Sequence, residues 1–287
     1  MDLGLHGKRA LVTGSSAGIG AETACVLAHE GASVVVHGLF KEEAEAVATK
    51  IKQAGGKAIA ISGDLTKTED IEQIARDATS AFGGIDILIN NAGTYPISGW
   101  WKSSPENWME TDHLDVVSGI RLVQLLVPGM VERGWGRVIQ LASTAAVPSG
   151  TANFFPQYAS AKAAQLRAAS ALAVELTGTG VTSNAINPGA VGTETFLSLY
   201  RERAKAAGFS TDAEGIGRWF IQNYMPDLPL GRLLRPREIA DMAAFLASSC
   251  SDAITGAEFC VDGGLAIHGF IRQISELPAI EASRARK

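Results

Sequence analysis

Hydrophobic positions along this chain fall into short β-branched runs that alternate with longer stretches of helical period. Short apolar runs bounded by turn residues are typical of buried strands, and apolar residues that recur once per helical turn are typical of one helix face. This alternation indicates repeated β-α-β units around a parallel sheet. Because such crossovers are almost always right-handed, helices are expected on both faces of the sheet.

Seven runs have the strand pattern and six stretches have the helical pattern. The strands are predicted at residues 10–13, 33–37, 58–62, 85–90, 137–142, 181–187 and 258–261. The helices are predicted at residues 19–30, 41–54, 68–82, 105–133, 156–178 and 236–248. We therefore predict an α/β fold with a doubly wound, parallel, seven-stranded sheet of the Rossmann type.

Residues 194–230 interrupt this alternation, since they carry scattered aromatic residues and no strand pattern. They are predicted to form a helical lid over the substrate side of a single domain that spans residues 1–264. No repeat or linker divides the chain. Residues 265–287 are interpreted as a C-terminal tail, whose local positive charge is typical of a solvated terminus.

Charge and cysteine content narrow the classes of partner. A net charge of −5 argues against nucleic acid or an anionic membrane as the main partner. The three cysteines are odd in number and far apart, which argues against a disulfide framework and against a metal site. The chain starts without a signal-peptide pattern, and no apolar stretch reaches about 18 uninterrupted residues. We expect a soluble, cytoplasmic protein without a metal.

Glycine supplies 31 of the 287 residues, above its usual share of about 7%. Several glycines lie between the first predicted strand and the first helix, where residues 13–20 read TGSSAGIG. Such a turn lets the backbone approach a pyrophosphate, and the helix N-terminus offers N–H groups. Glycines also serve simple tight turns, but this position favours a phosphate site. Its candidate residues are Thr13, Gly14, Ser15, Ser16, Gly18, Ile19 and Gly20.

Further short motifs follow this turn along the chain. They are Asn90-Asn91-Ala92-Gly93 after the fourth strand, Ser143 after the fifth, Tyr158-Ala159-Ser160-Ala161-Lys162, and Asn187-Pro188-Gly189 leading to Thr193. Together with the glycine turn, they resemble the short-chain dehydrogenase/reductase family over roughly residues 5–264. The resemblance implies a soluble NAD(P)-dependent oxidoreductase that forms dimers or tetramers through the long helices at residues 105–133 and 156–178.

Hydride transfer between a nicotinamide and an alcohol or ketone also requires a proton at the substrate oxygen. Tyr158 and Lys162 lie one helical turn apart, and a nearby ammonium group favours the tyrosinate form. Ser143 is predicted at the carboxyl end of a strand, where its hydroxyl could hold the substrate oxygen. The resemblance implies the same roles and adds that Lys162 binds the nicotinamide ribose. Without the other motifs, this tyrosine and lysine would be an ordinary surface pair.

One family position differs in this chain. An asparagine that holds a water molecule in a proton relay to the lysine is replaced by Asp115. A carboxylate can accept hydrogen bonds but lacks the amide donor. Our hypothesis is that the relay survives with an altered pH dependence; the alternative is a shifted register with Asp115 as a solvated helix residue. The loop from Ser143 to Tyr158, through Pro148 and Gly150, is slightly longer than usual in the family and is expected to border the substrate.

The choice of nicotinamide cofactor depends on the residues after the second strand. An acidic residue there selects NAD, whereas an arginine accommodates the 2′-phosphate of NADP. Gly38 and Leu39 occupy these positions, so neither determinant is present. No carboxylate repels a phosphate, and Ser15, His37 and Lys41 are within plausible reach, which favours NADP(H). Lys41 is equally well explained as a solvated helix residue.

The resemblance implies further cofactor contacts. Asp64, followed by Leu65, matches the residue that binds the adenine ring, although a turn cap is an alternative role for this aspartate. Asn91, Ala92 and Gly93 match the segment that lines the adenosine ribose and stabilises the central strand. Thr193 matches a residue near the nicotinamide carboxamide, and the remaining cofactor-binding candidates are Pro188, Gly189 and Val191.

Aromatic residues follow the fourth strand and recur in the lid. They are Trp100, Trp101, Trp108, Phe196, Trp219, Phe220 and Tyr224. They predict an apolar pocket for a small carbonyl or alcohol substrate; the alternative for each residue is packing against a neighbouring helix. The leading function is alcohol and ketone interconversion. A cofactor-binding sensor or scaffold with impaired chemistry is the second, and a dehydratase or isomerase the third.

Overall fold

A computed structural model describes residues 2–95, 99–147 and 156–268 of this chain. Its parallel strands form one sheet in the order β3-β2-β1-β4-β5-β6-β7. The strands are β1 Arg9–Val12, β2 Ser33–Gly38, β3 Lys57–Ser62, β4 Ile87–Asn90, β5 Gly136–Leu141, β6 Val181–Pro188 and β7 Glu258–Val261. The predicted doubly wound, seven-stranded sheet is confirmed. Strand order reverses between β1 and β4, and ligands bind at such a switch point.

Ten α-helices connect and cover these strands within the described residues. They are α1 Gly18–His29, α2 Lys41–Gln53, α3 Thr68–Phe82, α4 Pro105–Asp112, α5 Ser118–Glu132, α6 Pro156–Glu175, α7 Glu194–Ala206, α8 Ala213–Tyr224, α9 Pro236–Ala247 and α10 Leu265–His268. Each of the predicted helices corresponds to an observed one, except that residues 105–133 form two.

Both faces of the sheet are buried, which explains the nearly continuous apolar runs of its strands. Alternate residues point to opposite faces. Ala10 and Val12 of β1 pack on the side of α1 and α9, whereas Leu11 packs on the side of α3 and α5. The apolar core therefore fixes the strands on both sides and leaves their carboxyl ends for other groups.

The predicted helix at residues 105–133 contains a π-helical turn, His113–Val117, between α4 and α5. A π turn inserts one extra residue into the hydrogen-bond ladder, and apolar periodicity does not reveal it. The continuous helix Pro105–Glu132 is long and apolar enough to cross a membrane by length and composition. Here its residues Leu122, Leu126 and Met130 are buried against the sheet, as in a core helix.

The lid region, residues 194–230, contains α7 and α8, which form an apolar cluster of their own. Leu265 of α10 is buried in the same cluster. The folded part of the chain therefore includes α10, although the sequence analysis assigned all residues from 265 onward to the tail. The rest of that tail, residues 269–287, and the loop through Pro148 and Gly150 lie outside the described residues.

Candidate functional site

Two glycines shape the turn between β1 and α1. Gly14 has φ = 60° and Gly18 has φ = 57°, values that favour glycine because it lacks a Cβ. Helix α1 begins at Gly18, and its N-cap, Ala17, makes no side-chain hydrogen bond to the first turn. The first amide groups of α1 are therefore available to an anion, and the helix dipole adds a favourable potential there.

Hydrogen bonds fasten this turn to the end of β4. The Asn91 Nδ2 group donates to the carbonyl oxygens of Thr13 at 2.9 Å and Gly14 at 3.0 Å. The Thr13 hydroxyl accepts from the amides of Asn91 and Ala92, both at 3.0 Å. A Cβ at Gly20 would lie only 2.5 Å from that Nδ2 atom. The packing therefore requires glycine at position 20, next to the helix N-terminus.

A cavity of about 340 Å³ runs from this turn to the lid. Its described lining includes Ile19, Gly93, Tyr158, Thr193 and Phe196. The glycine turn, the uncapped helix N-terminus and the open space beyond them fit a dinucleotide whose pyrophosphate lies at α1. Such a cofactor would reach from the turn towards Tyr158.

Ser143, Tyr158 and Lys162 line one section of this cavity. Ser143 follows β5, and its Oγ atom accepts from the amide of Ala145 at 3.1 Å. Tyr158 and Lys162 are on α6, and the Lys162 Nζ atom lies 5.5 Å from the Tyr158 ring centroid. The same ammonium group donates to the carbonyl oxygen of Leu141 at 3.2 Å. These side chains bring a hydroxyl, a phenol and a cation to one place.

Asp115 is buried on the π-helical turn, beside Lys162. Its Oδ2 atom lies 3.5 Å from the Lys162 Nζ atom, and its Oδ1 atom accepts from the Thr94 amide at 2.7 Å. The backbone oxygen of Asp115 accepts from Gln165 Nε2 at 2.6 Å. Burial raises the pKa of Asp115, against the opposing effects of Lys162 and the Thr94 amide. The alternative interpretation of Asp115 as a solvated helix residue is therefore wrong.

The chain passes close to this buried pair at Gly93. A Cβ there would lie 2.9 Å from Asp115 Oδ1 and 3.1 Å from Lys162 Nζ. Two residues later, the Tyr95 ring meets the Tyr158 ring edge to face, with centroids 5.3 Å apart. Sequence reasoning stopped at Gly93 and missed Thr94 and Tyr95; their position directly after the motif was the available signal.

The structure encloses Ser15 and leaves Lys41 at the surface. Ser15 is fully buried, and its hydroxyl donates to the Val12 carbonyl oxygen at 2.6 Å. Lys41 is exposed and pairs with Glu45 at 3.6 Å. The expectation that Ser15 is within reach of the phosphate is therefore wrong, and Lys41 has the solvated position that its alternative interpretation describes.

His37 is also internal. It is buried; Nδ1 accepts from the Gly14 amide at 3.2 Å, and Nε2 lies 3.2 Å from the carbonyl oxygen of Gly63. Burial lowers the pKa of His37 to about 4, although the hydrogen bond to Gly63 raises it. A neutral, enclosed imidazole does not bind a phosphate by charge, so the expectation that His37 reaches the 2′-phosphate is wrong.

The Glu43 carboxylate lies close to the end of β2 at Gly38, and the sequence analysis did not predict it there. A Cβ at Gly38 would lie 2.8 Å from the Ser16 Cβ atom, and the Ser16 hydroxyl donates to Glu43 Oε2 at 3.4 Å. Leu39 is more than half exposed beside them. Glu43 is in the first turn of α2, five residues after Gly38, and this helical position was the signal for it.

After β3, Asp64 forms a local turn. Its Oδ1 atom accepts from the Thr66 amide at 2.9 Å and from the Thr66 hydroxyl at 2.7 Å. These bonds lower the pKa of Asp64. Leu65 is buried in the core below. Asp64 therefore caps this turn through its Oδ1 atom. Its Oδ2 atom lies at the surface, 3.8 Å from the Lys67 Nζ atom.

The substrate side of the cavity is lined by part of the predicted aromatic set. Phe196, Phe220 and Tyr224 line it, as do Tyr200, Leu199, Met225 and Leu265, which were not predicted. Pro188, Gly189, Val191 and Thr193 form the neighbouring wall. The Thr193 hydroxyl caps α7 by accepting from the Phe196 amide at 3.2 Å.

The tryptophans do not belong to this lining. Trp219 packs against Tyr200 and Tyr224 inside the lid cluster. Trp100 meets Trp108 edge to face, with centroids 5.3 Å apart, and Trp101 is 95% exposed. The expectation that these four tryptophans line the substrate pocket is therefore wrong, because they pack against each other or their neighbours, or face solvent.

A sequence model of the short chain dehydrogenases matches residues 8–204 of this chain. The chain belongs to the short-chain dehydrogenase/reductase family. Among proteins of this family, D-beta-hydroxybutyrate dehydrogenase from Cupriavidus necator is 36% identical over 262 residues, which are 91% of this chain and 98% of that protein. The family resemblance is thereby confirmed.

Solved structures of the same family share the fold. L-sorbose reductase from Gluconobacter frateurii, solved with NADPH and L-sorbose, has a TM-score of 0.85 and 32% identity, covering 93% of this chain and 99% of that one. A 7α-hydroxysteroid dehydrogenase, solved with NADH and 7-oxo glycochenodeoxycholic acid, has a TM-score of 0.80 and 31% identity, covering 94% and 97%. The oxidoreductase class and the NAD(P)-binding fold are thus shown for this chain.

The buried imidazole predicts an acid-sensitive stability. Because the pKa of His37 is lowered from 6.5 to about 4, the unfolded chain binds a proton before the folded protein does as the pH falls. The stability contributed by neutral His37 is complete above pH 6.5 and declines towards pH 4, by roughly 3 kcal/mol in all. Denaturant unfolding at a series of pH values measures this decline.

The variant His37→Gln should show a shallower loss of unfolding free energy between these pH values than the wild type. His29→Gln is the matched control, because His29 is exposed in the last turn of α1. An equal slope in His37→Gln and wild type would contradict the assignment of the slope to His37.

Proposed function

We propose that this protein interconverts a secondary alcohol and a ketone, with Tyr158 as the acid/base. The convergence of Ser143, Tyr158 and Lys162 on a cavity that also reaches the glycine turn carries this proposal. A bound nicotinamide would accept or supply the hydride. In the oxidation direction, the alcohol loses that hydride from carbon and the hydroxyl proton to the Tyr158 oxygen.

The other two side chains support this proton transfer. The Ser143 hydroxyl binds and polarises the substrate oxygen. The hydroxyl proton of the substrate alcohol then faces the Tyr158 oxygen. The Lys162 ammonium group stabilises the phenolate and would bind the nicotinamide ribose. Leu141 and Asp115 keep that ammonium group in place from behind.

The substrate is proposed to be uncharged and largely apolar. Lys162 is the one charged side chain among the described lining residues, and it is already engaged by Asp115 and Leu141. The walls beyond it are formed by the aromatic and aliphatic side chains of α7 and α8. A substrate carboxylate would lose hydration there without gaining a cationic partner of its own. A ketone with an apolar body fits better than a keto acid.

Two residues near the end of β2, Gly38 and Glu43, have opposite effects on the preference for NADP(H) over NAD(H). Gly38 lacks the carboxylate that would repel a 2′-phosphate, which supports NADP(H). Glu43, next to Ser16, adds a negative charge at the same edge, although it is exposed and therefore screened. We infer a modest preference for NADP(H).

A homo-oligomer is part of this proposal. The helices α5 and α6 expose the apolar residues Ile120, Leu125, Val131 and Val174. Small alanine side chains along α6 would allow close helix approach. Apolar surface of this kind is typical of an interface between subunits.

A ketone panel tests the proposed activity. Neutral ketones with aromatic or alicyclic bodies should be reduced with NADPH, and with NADH at lower kcat/KM. Keto acids of matched size should give kcat/KM values lower by about ten-fold or more, because their carboxylate is desolvated without a partner. Absorbance of the reduced nicotinamide measures both. A preference for keto acids would contradict the apolar substrate class.

Replacing Tyr158 separates an enzyme from a cofactor-binding sensor, the second candidate function, which rests on the Asp115 charge beside Lys162. Tyr158→Phe should lower kcat by about a hundred-fold or more, because the acid/base is lost, while cofactor affinity changes little. Nicotinamide fluorescence titration measures that affinity. Wild-type cofactor binding without turnover of any ketone would favour the sensor.

Asp115→Asn should shift the pH dependence of alcohol oxidation. The neutral amide no longer offsets the Lys162 charge, so the ammonium group stabilises the phenolate more strongly. The pH–rate profile should therefore move towards lower pH, by ~1 pH unit. Glu110→Gln, an exposed acidic position on α4, is the control. An unchanged profile for Asp115→Asn would contradict a role of Asp115 in proton transfer.

A further inference from the structure

The His37 side chain joins the glycine turn after β1 to the segment that follows β3. The Gly14 amide can only donate, so the His37 Nδ1 atom accepts, at 3.2 Å. The proton of a neutral imidazole is then on Nε2, which donates to the carbonyl oxygen of Gly63 at 3.2 Å. A single neutral tautomer therefore satisfies both bonds.

A second set of bonds supports the same link. The Ser15 amide donates to the His37 carbonyl oxygen at 2.7 Å, and the His37 amide donates to the Ser15 hydroxyl oxygen at 2.9 Å. On the other side, the Gly63 amide donates to the carbonyl oxygen of Gly38 at 3.2 Å. The end of β2 is thus tied both to the glycine turn and to the segment that follows β3.

We propose that His37 is a positioning residue for the cofactor, which holds the glycine turn and residues 63–65 at a fixed separation. The inference rests on the proposed function, since it assumes that a dinucleotide spans these two loops. The backbone bonds described above fix the ends of the strands. Within the described residues, the His37 side chain is the one group that is hydrogen-bonded to both Gly14 and Gly63. Without it, the turn can relax before the cofactor binds, and binding must then restore its geometry.

The chemistry of the imidazole suits this role. It combines an acceptor and a donor in one rigid ring, so the two contacted loops move together. The low pKa of His37, caused by its burial, keeps the ring neutral at physiological pH. A protonated ring would direct an N–H group at the Gly14 amide, and the link would be lost.

Three variants test the proposal. His37→Phe keeps an aromatic ring, somewhat larger than imidazole, without either bond, whereas His37→Asn can restore an acceptor for the Gly14 amide but is too short for Gly63. His29→Phe is the control at an exposed position. Fluorescence titration with NADPH gives the cofactor Kd, and steady-state kinetics give kcat and the KM for the ketone.

For His37→Phe, we expect a Kd for NADPH about ten-fold higher than in the wild type, with kcat at saturating cofactor and the ketone KM within about two-fold. The Kd of His37→Asn for NADPH should lie between those of the wild type and His37→Phe, and the Kd of His29→Phe should match that of the wild type. Equal affinity of folded His37→Phe and wild type would overturn the inference. The inference would also be overturned if the Kd for NADPH and the KM for the ketone rose by the same factor, because that result indicates a general structural effect.

Two outcomes separate this inference from the proposed function. If the wild type does not bind NADPH or NADH, the proposed function fails. If His37→Phe does not fold, as judged by circular dichroism, the comparison passes to His37→Asn and His37→Gln, each of which can keep one of the two bonds. Weaker NADPH binding by both, with an unchanged ketone KM, supports the inference; wild-type affinity in both overturns it.

Discussion

The hydrogen bonds from Asn91 to the carbonyl oxygens of Thr13 and Gly14 hold the two strands of the switch point together beyond their last ladder bonds. Parallel strands diverge after the sheet ends, and this divergence opens the crevice in which a ligand can bind. Asn91 limits the divergence on one side, so the glycine turn stays against the segment that continues to Gly93. Gly93 in turn lies so close to the buried pair of Lys162 and Asp115 that a Cβ atom there would collide with Asp115. The proposed sites of phosphate binding and of proton transfer therefore share one support.

The pair of Lys162 and Asp115 differs from an ordinary surface ion pair because both side chains are almost fully buried. Removing one partner from such a pair leaves a desolvated charge, which is more costly than the attraction that the pair supplies. The Leu141 carbonyl oxygen and the Thr94 amide reduce this cost by bonding to the two ends. The result is a cation that Asp115 and Leu141 hold in position, 5.5 Å from the centroid of the Tyr158 ring.

Much of this arrangement could be predicted from the sequence, for identifiable reasons. The buried strands are short runs of apolar residues, and the site motifs follow directly after them, so strand assignment also placed Ser143 and Asn91. The π-helical turn at His113–Val117 could not be predicted, because one extra residue in a helix barely changes its apolar period. Likewise, the sequence places His37 within reach of a 2′-phosphate, because it does not show that Gly14 and Gly63 enclose the side chain. The direction of side chains in the lid, such as Trp219, depends on the packing between α7 and α8, and the hydrophobic pattern of the sequence does not predict it.

Leu265 makes the last described helix a part of the substrate cavity. The proposed catalytic side chains follow β5 or lie on α6, whereas this wall comes from the chain beyond β7, after the sheet is complete. Changes in length or composition there alter the shape of the pocket without disturbing the sheet or the proton-transfer group. Within one fold, the C-terminal segment is thus an independent route to a new substrate range.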